Sequence, residues 1–284
     1  PLSKGRDVKF FRAACIVAVA ASLSTPSALA SEHIAFTTVD GLIQVHASLA
    51  GGPAVPLLVD LGAGIDVLSA ETARSLNLTA NGRYTNWRMS GERVDIATTT
   101  LSSIALGGFV VDHPTVGVWK GLDGSGFAGL ISATAFRDVA VTFDFVSHEL
   151  IVEDPASMKA IERDRVRVPL AFADDRGISL DLFAPFDFGN GANGACEIDT
   201  GSQGYFIDTR LAAKIGVTPA AKPNDPKKRL EALIPFVRLV GAPASQRTAP
   251  TAIFTDLIFD CNVGNEFWAG RRFTLDIPDR SLFV

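Results

Sequence analysis

The 284-residue sequence has few of the residues that mark a metalloprotein or a membrane protein. It contains three cysteines and four histidines, and His33, His46, His113 and His148 are scattered without the spacing of metal ligands. No apolar stretch reaches the ~20 residues that a membrane-spanning helix needs. The sequence therefore predicts no metal site and no membrane span in the mature protein.

Positive charge is also scarce. The chain has 26 Lys and Arg against 31 Asp and Glu, a formal net charge of −5, which becomes −8 without residues 1–30. A net acidic chain argues against nucleic acid as the natural partner. Long helical periods are few, whereas 19 Phe and many Val, Ile and Thr favour β structure.

The first 30 residues have the order of parts of a secretory signal peptide. Four basic residues precede an apolar run at 13–23, and Ala28-Leu29-Ala30 forms an A-x-A cleavage signature. The apolar run is too short for a membrane anchor. We therefore expect cleavage after Ala30 and a secreted or periplasmic mature protein.

The rest of the chain contains one pattern twice. Residues 60–78 align without a gap with residues 199–217, at an offset of 139. Residues 132–152 align in the same way with residues 264–284, at an offset of 132. Two ungapped matches in the same order indicate a tandem duplication.

Each half of the duplication is predicted to be mostly β. In the first half an apolar strand leads into Asp60, and a short helix is predicted near residues 70–76. The second half repeats this order, and each half ends in a β-hairpin. We expect an all-β protein with two halves, residues 31–155 and 156–284, each with one short helix.

Two aspartates occupy equivalent positions in these halves. Asp60 and Asp199 each end a buried apolar strand, and Gly62 and Gly201 follow two positions later. The glycine permits a close backbone approach, and nearby N–H groups can bond the carboxylate. A lone Asp-x-Gly is most often a hairpin turn. Two copies in duplicated halves, however, can meet at a pseudo-twofold axis.

The second turn resembles the active-site motif of the aspartic proteases. Asp199-Thr200-Gly201-Ser202 matches the family pattern D-T-G-[AS], and residues 130–136 and 262–268 look like the family's later apolar-apolar-Gly block. Each half is similar to the retropepsin-like domains of bacterial proteins. The resemblance covers nearly all of residues 40–152 and 178–284. It implies a two-lobed acid-protease fold in which each lobe is a β-barrel-like half.

The resemblance also implies a chemistry. A peptide or protein substrate would be hydrolysed by a water held between Asp60 and Asp199, without a metal or an organic cofactor. Two carboxylates about 3 Å apart share one proton, so their apparent pKa values belong to the pair. Because one chain supplies both aspartates, we expect a monomer.

The first turn departs from the family pattern. The predicted active-site turns comprise Leu61, Gly62, Ala63, Thr200, Gly201 and Ser202. The family has Thr or Ser where this chain has Leu61, and the hydroxyl braces the two turns against each other. Ser132 replaces a family glycine, and both changes predict a weaker first half. A weakly active or inactive relative that binds peptides in the cell envelope is the alternative.

A flap over the cleft is expected at residues 83–91. This segment is polar and aromatic, and Tyr84 or Trp87 would cover a substrate. An ordinary surface loop is the alternative.

Two cysteines remain after residues 1–30. In the family fold the strands that carry Cys196 and Cys261 are neighbours, so a disulfide between them is one expectation. Two buried thiols on adjacent strands are the other.

Overall fold

The computed structural model describes residues 30–221 and 229–284. These residues form three β-sheets with a few short helices, and the predicted all-β, two-lobed fold is confirmed. The predicted signal peptide lies outside the described residues except for Ala30. Within the described part of the chain, no helix is both long enough and apolar enough to cross a membrane.

Thirteen strands come from the first half. They are β1 (Glu32–Ala35), β2 (Thr37–Val39), β3 (Leu42–Leu49), β4 (Ala54–Val59), β5 (Val67–Ser69), β6 (Gly82–Trp87), β7 (Arg93–Thr100), β8 (Ser103–Leu106), β9 (Phe109–Asp112), β10 (Thr115–Trp119), β11 (Gly129–Ile131), β12 (Ala140–Asp144) and β13 (Glu149–Val152).

The described residues of the second half supply another thirteen. They are β14 (Arg167–Pro169), β15 (Ala171–Asp175), β16 (Ser179–Asp187), β17 (Asn193–Ile198), β18 (Tyr205–Asp208), β19 (Ala220–Ala221), β20 (Leu230–Leu233), β21 (Phe236–Leu239), β22 (Arg247–Thr248), β23 (Thr251–Thr255), β24 (Cys261–Val263), β25 (Arg272–Asp276) and β26 (Ser281–Phe283).

The helices are short. The α-helices are α1 (Ala70–Ser75), α2 (Pro155–Asp164), α3 (Ala212–Ile215) and α4 (Asn265–Trp268), and 3₁₀ turns cover Leu61–Ala63, Lys120–Leu122, Ala133–Phe136, Thr209–Leu211 and Pro243–Ser245. Helices α1 and α3 are the predicted pair, whereas α2 and α4 were not predicted. The Asp154 side chain caps α2 by accepting from the N–H groups of Ala156 and Ser157, and Pro155 opens the helix.

The three sheets follow the duplication. Strands β2–β11 form one ten-stranded sheet and β15–β24 form another, so each half builds its own. The third sheet has six strands, in the order β1-β13-β12-β25-β26-β14, and joins the two halves. The halves are therefore linked by backbone hydrogen bonds as well as by side-chain packing.

The pseudo-twofold axis passes through the six-stranded sheet. Strands β12 and β25 pair antiparallel with Thr142 opposite Thr274, two positions that the duplication makes equivalent. Their hydroxyl oxygens are 2.6 Å apart. The neighbouring rings of Phe143 and Phe273 stack with their centroids 4.9 Å apart. The two equivalent threonines thus meet, and a continuous hydrophobic core spans both halves.

Candidate active site

Each candidate catalytic aspartate lies where a central strand of its half ends. Asp60 follows β4, and its N–H donates to the Ile131 carbonyl at 2.8 Å. Asp199 follows β17, and its N–H donates to the Val263 carbonyl at 3.1 Å. Because β4–β11 and β17–β24 are parallel pairs in the middle of their sheets, rigid elements hold both aspartates.

The turns after the two aspartates repeat the same geometry. The Gly62 N–H donates to Asp60 Oδ1 at 3.1 Å, and the Gly201 N–H donates to Asp199 Oδ1 at 2.8 Å. Each glycine also faces the opposite aspartate. A methyl group on Gly62 would lie 2.5 Å from the carboxyl carbon of Asp199, and one on Gly201 would overlap the carboxyl of Asp60. Glycine at both positions therefore lets the two carboxyl groups meet.

The two carboxyl groups are not equivalent. They meet between the two turns, and two adjacent carboxyl groups do not both ionise readily. Burial, and next the charge of Asp199, raises the pKa of Asp60 well above its ordinary value. Burial also raises the pKa of Asp199, but N–H groups of Asn262 and Gly201 stabilise its ionised form. The surroundings thus favour a proton on Asp60 and a negative charge on Asp199.

Among the described residues, one side chain braces the two turns against each other. The Thr200 hydroxyl donates to the Val59 carbonyl at 2.8 Å and accepts from the Leu61 N–H at 3.0 Å. The Leu61 side chain is fully buried in the hydrophobic core and returns no such bond. The brace between the halves is therefore one-sided.

Ser132 has a structural role that the sequence did not indicate. Its N–H and hydroxyl donate to Asp66 Oδ1 at 2.7 and 3.0 Å. Asp66 is 2% exposed, and burial raises its pKa to about 6 even though the bonds from Ser132 act in the opposite direction. The Ser132 hydroxyl thus satisfies a buried carboxyl group of the first half, and the expectation that Ser132 weakens this half stays a prediction.

The last residue of each turn contacts the surrounding structure through its backbone. The Ala63 carbonyl accepts from the Asn86 side chain at 3.0 Å, and the Ser202 carbonyl accepts from the Asn265 N–H at 2.9 Å. The Ser202 hydroxyl is buried and has no hydrogen-bond partner among the described residues.

Three polar residues that the sequence did not mark as functional lie near Asp199. The Asn262 side chain donates to Asp199 Oδ2 at 2.7 Å and to Glu197 Oε2 at 2.9 Å. Asp181, Glu197, Asn262 and Asp199 line one cavity of about 800 Å³. Burial, assisted by the charge of Asp199, raises the pKa of Glu197 well above its ordinary value and that of Asp181 to about 6.

A comparison of the two halves identifies two of these three residues. The offset of 139 places Leu58 opposite Glu197, and the offset of 132 places Leu130 opposite Asn262. An apolar pair in one half thus becomes a polar pair in the other.

The segment predicted to be a flap forms the β6–β7 hairpin, and residues 84–89 line the 800 Å³ cavity. The Met89 carbonyl at its tip accepts from the Ile258 N–H of the second half at 3.0 Å. The Trp87 side chain lines the cavity and is 55% exposed. Tyr84 is 8% exposed, and its hydroxyl lies 2.7 Å from the Ser179 hydroxyl of the second half. The two aromatic residues therefore differ: Trp87 faces the cleft and Tyr84 joins the halves.

The two cysteines of the second half form a disulfide in the structure. Strands β17 and β24 pair with Cys196 opposite Cys261, and the Sγ atoms are 1.99 Å apart. Cys196 lies three residues before Asp199, so the bond ties together the strands beneath the second turn. Among the described residues, no group of three or more His, Cys, Asp or Glu side chains is placed to hold a metal ion.

Comparison with known protein families gives a match in the first half. Residues 45–135, which contain Asp60, match the sequence model of a family described as aspartyl protease. A search of curated protein sequences found no significant match.

Two solved structures share the fold. The aspartic proteinase from Irpex lacteus has a TM-score of 0.56 and 15% identity, over 89% of this chain and 96% of that one. Basic 7S globulin from soybean has a TM-score of 0.54 and 11% identity, over 89% of this chain and 94% of that one. The resemblance to the aspartic protease family is thereby confirmed, by the sequence model in the first half and by the fold across both halves.

Proposed function

We propose that this protein is a secreted aspartic-type endopeptidase whose dyad is Asp60 and Asp199. The observation that carries the proposal is the meeting of the two carboxyl groups, between turns of matching geometry in the two halves. A shared proton between paired carboxyls is the arrangement that acid–base hydrolysis by two aspartates requires.

The proposed reaction uses the difference between the two aspartates. Ionised Asp199 takes a proton from a water molecule while the water oxygen bonds to the peptide carbonyl carbon. Protonated Asp60 donates its proton to the carbonyl oxygen, which gives a tetrahedral diol. Transfer of a proton to the amide nitrogen then breaks the C–N bond and releases the carboxyl and amino products.

The shape of the cleft suits an extended peptide. The 800 Å³ cavity reaches Asp199, and a second cavity of about 170 Å³ reaches Asp60. The β6–β7 hairpin contributes Trp87 to both walls. A bound peptide would therefore place one side chain on each side of the dyad, beneath the flap.

Secretion is part of the proposal and rests on the signal sequence at residues 1–30. A disulfide suits an oxidising compartment, and the second half carries one. N-terminal sequencing of exported protein is expected to begin at Ser31.

A peptide library tests the proposed activity. Protein starting at Ser31 is incubated with the library from pH 3 to 7, and products are identified by mass spectrometry. We expect internal cleavage that disappears in both Asp60→Asn and Asp199→Asn. The control is Asp112→Asn, which changes an exposed carboxylate on β9 and is expected to cut normally.

The second candidate function is a peptide-binding relative without activity. The observation that favours it is the one-sided brace, because Leu61 does not return the bond that Thr200 makes. In that case wild-type protein binds library peptides but releases no products at any pH. Cleavage that depends on both aspartates rejects this candidate.

A further inference from the structure

The duplication allows the two sides of the cleft to be compared position by position. Leu58 lies two residues before Asp60 on β4. It pairs with Leu130 on the adjacent strand β11. Their equivalents Glu197 and Asn262 stand on β17 and β24, and pair in the same register. One side of the cleft is therefore apolar at the two positions where the other side is polar.

The side formed by the first half contains the 170 Å³ cavity. We call it the apolar pocket, since its wall includes Val67, Val94, Ile96, Trp119 and Leu130. A pocket of this composition favours an aliphatic or aromatic side chain, because it removes apolar surface from water.

The side formed mainly by the second half contains the 800 Å³ cavity. We call its inner part, defined by Asp181, Glu197 and Asn262, the acidic pocket. The wall of the whole cavity carries five carboxyl groups: Asp174, Asp175, Asp181, Glu197 and Asp199. Among the described residues, Arg88 is the only lysine or arginine on this wall.

The side-chain oxygen atoms of the acidic pocket can accept more hydrogen bonds than the surrounding residues donate. Glu197 is 6% exposed, and within the described part of the chain the only hydrogen bond to its carboxyl group comes from the Asn262 amide. The Asn262 side chain is 1% exposed and lines the cavity, and its Oδ1 has no partner among the described residues. The Asp181 carboxyl group, on a paired strand, has no hydrogen-bond or ion-pair partner within residues 30–221 and 229–284. Acceptors that are buried without donors are unfavourable unless a ligand supplies those donors.

We propose that the acidic pocket binds the lysine or arginine side chain of a substrate next to the scissile bond, while the apolar pocket takes an apolar residue on the opposite side. This inference rests on the proposed function, since it assigns specificity to the same cleft. An ammonium group brings three N–H donors and a guanidinium five. The positive charge of either group favours the ionised form of Glu197 and Asp181, whose pKa values burial raises. Hydrogen bonds between charged partners are about twice as strong as neutral ones. Glu197 is the specificity-determining residue, because its equivalent in the apolar half is a leucine.

The first test measures binding and does not depend on catalysis. Matched peptides that differ only in lysine or norleucine beside the central bond are titrated into the Asp60→Asn variant by calorimetry. We expect the lysine peptide to bind roughly tenfold more tightly. The added change Glu197→Gln keeps an acceptor for Asn262 and is expected to remove the preference. Asp112→Asn serves as the matched control and is expected to keep it.

The second test measures selectivity of cleavage by wild-type protein and by Glu197→Leu. The wild type is expected to cut at lysine or arginine on one side of the bond only, and Glu197→Leu is expected to prefer apolar residues on both sides. Equal binding of the lysine and norleucine peptides overturns the inference, whether or not the protein cuts. If the lysine preference appears in binding but no peptide is cut, the specificity stands and the proposed peptidase activity fails.

Discussion

The Thr200 hydroxyl lies 3.0 Å from the Leu61 backbone nitrogen and joins the two halves next to the dyad. The same hydroxyl donates to the Val59 carbonyl at 2.8 Å. Thr200 is fully buried, so these two backbone groups of the first half depend on one side chain of the second. The alignment of Asp60 with Asp199 therefore depends on an interaction that the first half does not duplicate.

Replacing this hydroxyl tests its importance. Thr200→Val is expected to lower the free energy of unfolding by about 2–4 kcal/mol, because it leaves a buried N–H and a buried carbonyl without partners. We expect kcat to fall by about 10²-fold, since small displacements of reacting groups have effects of this size. Urea unfolding and peptide cleavage measure the two effects. Thr200→Ser keeps the hydroxyl, and an equal loss in that variant would contradict the argument.

The close approach of Gly201 to Asp60 gives a second prediction. Gly201→Ala is expected to reduce activity by about 10²-fold or more, because the added methyl group overlaps the carboxyl of Asp60 and separates the pair. The matched control is Gly204→Ala, whose methyl group would meet no atom nearer than 3.8 Å, on the Glu266 side chain. Steady-state cleavage compares the variants. Equal activity of the two would show that the carboxyl groups tolerate separation.

Much of the fold and the aspartate pair could be predicted from the sequence. The duplication marks two halves, and the D-T-G-S turn at Asp199 is specific enough to identify its degenerate partner at Asp60. Helix α2 lies at the join between the two halves and was not predicted. The signals for this helix were present, since Asp154 is a good N-cap residue and Pro155 suits the first helical position.

The polar side of the cleft was harder to predict. Asn262 bonds Glu197 and Asp199 across 65 and 63 residues of sequence, so its role depends on strand pairing. Asp181 belongs to no motif, and the tertiary structure alone brings β16 to the cleft. For Ser132, comparison with the family suggested a loss, whereas its actual partner, Asp66, lies 66 residues away.

The buried Asp66 carboxyl predicts a pH dependence of stability. Its pKa is about 6 in the folded protein against 3.8 for the ordinary group, so the unfolded chain loses this proton first. The contribution of Asp66 to stability is fully present below about pH 4 and is lost as pH rises through 6, a change of about 3 kcal/mol. Asp66→Asn removes this titration while keeping an acceptor for Ser132.

Urea unfolding at pH 4 and pH 7 measures this difference. Relative to the wild type, Asp66→Asn is expected to be more stable at pH 7 than at pH 4 by about 3 kcal/mol. The exposed-site variant Asp112→Asn is expected to follow the wild type at both pH values. If the free energy of unfolding of Asp66→Asn and that of the wild type change equally between pH 4 and pH 7, the Asp66 carboxyl group is not protonated in the folded state.

The disulfide of the second half gives a prediction about stability under reducing conditions. Cys196 and Cys261 are 65 residues apart, and a cross-link closing a loop of this length contributes about 3–4 kcal/mol. Reduction, or the double change Cys196→Ala and Cys261→Ala, is expected to lower the free energy of unfolding by that amount. Thiol titration of unfolded, unreduced protein that starts at Ser31 is expected to find no free thiol. Two free thiols would disprove the pairing.

The two aromatic residues of the β6–β7 hairpin are expected to respond differently to substitution. Trp87 is 55% exposed on the cavity wall, so Trp87→Ala is expected to raise KM about tenfold, with little change in the free energy of unfolding. Tyr84→Phe removes the bond to Ser179 between the halves and is expected to lower the free energy of unfolding by about 1 kcal/mol. Cleavage kinetics and urea unfolding of both variants separate the two roles. The flap assignment fails if Trp87→Ala binds peptides as tightly as the wild type.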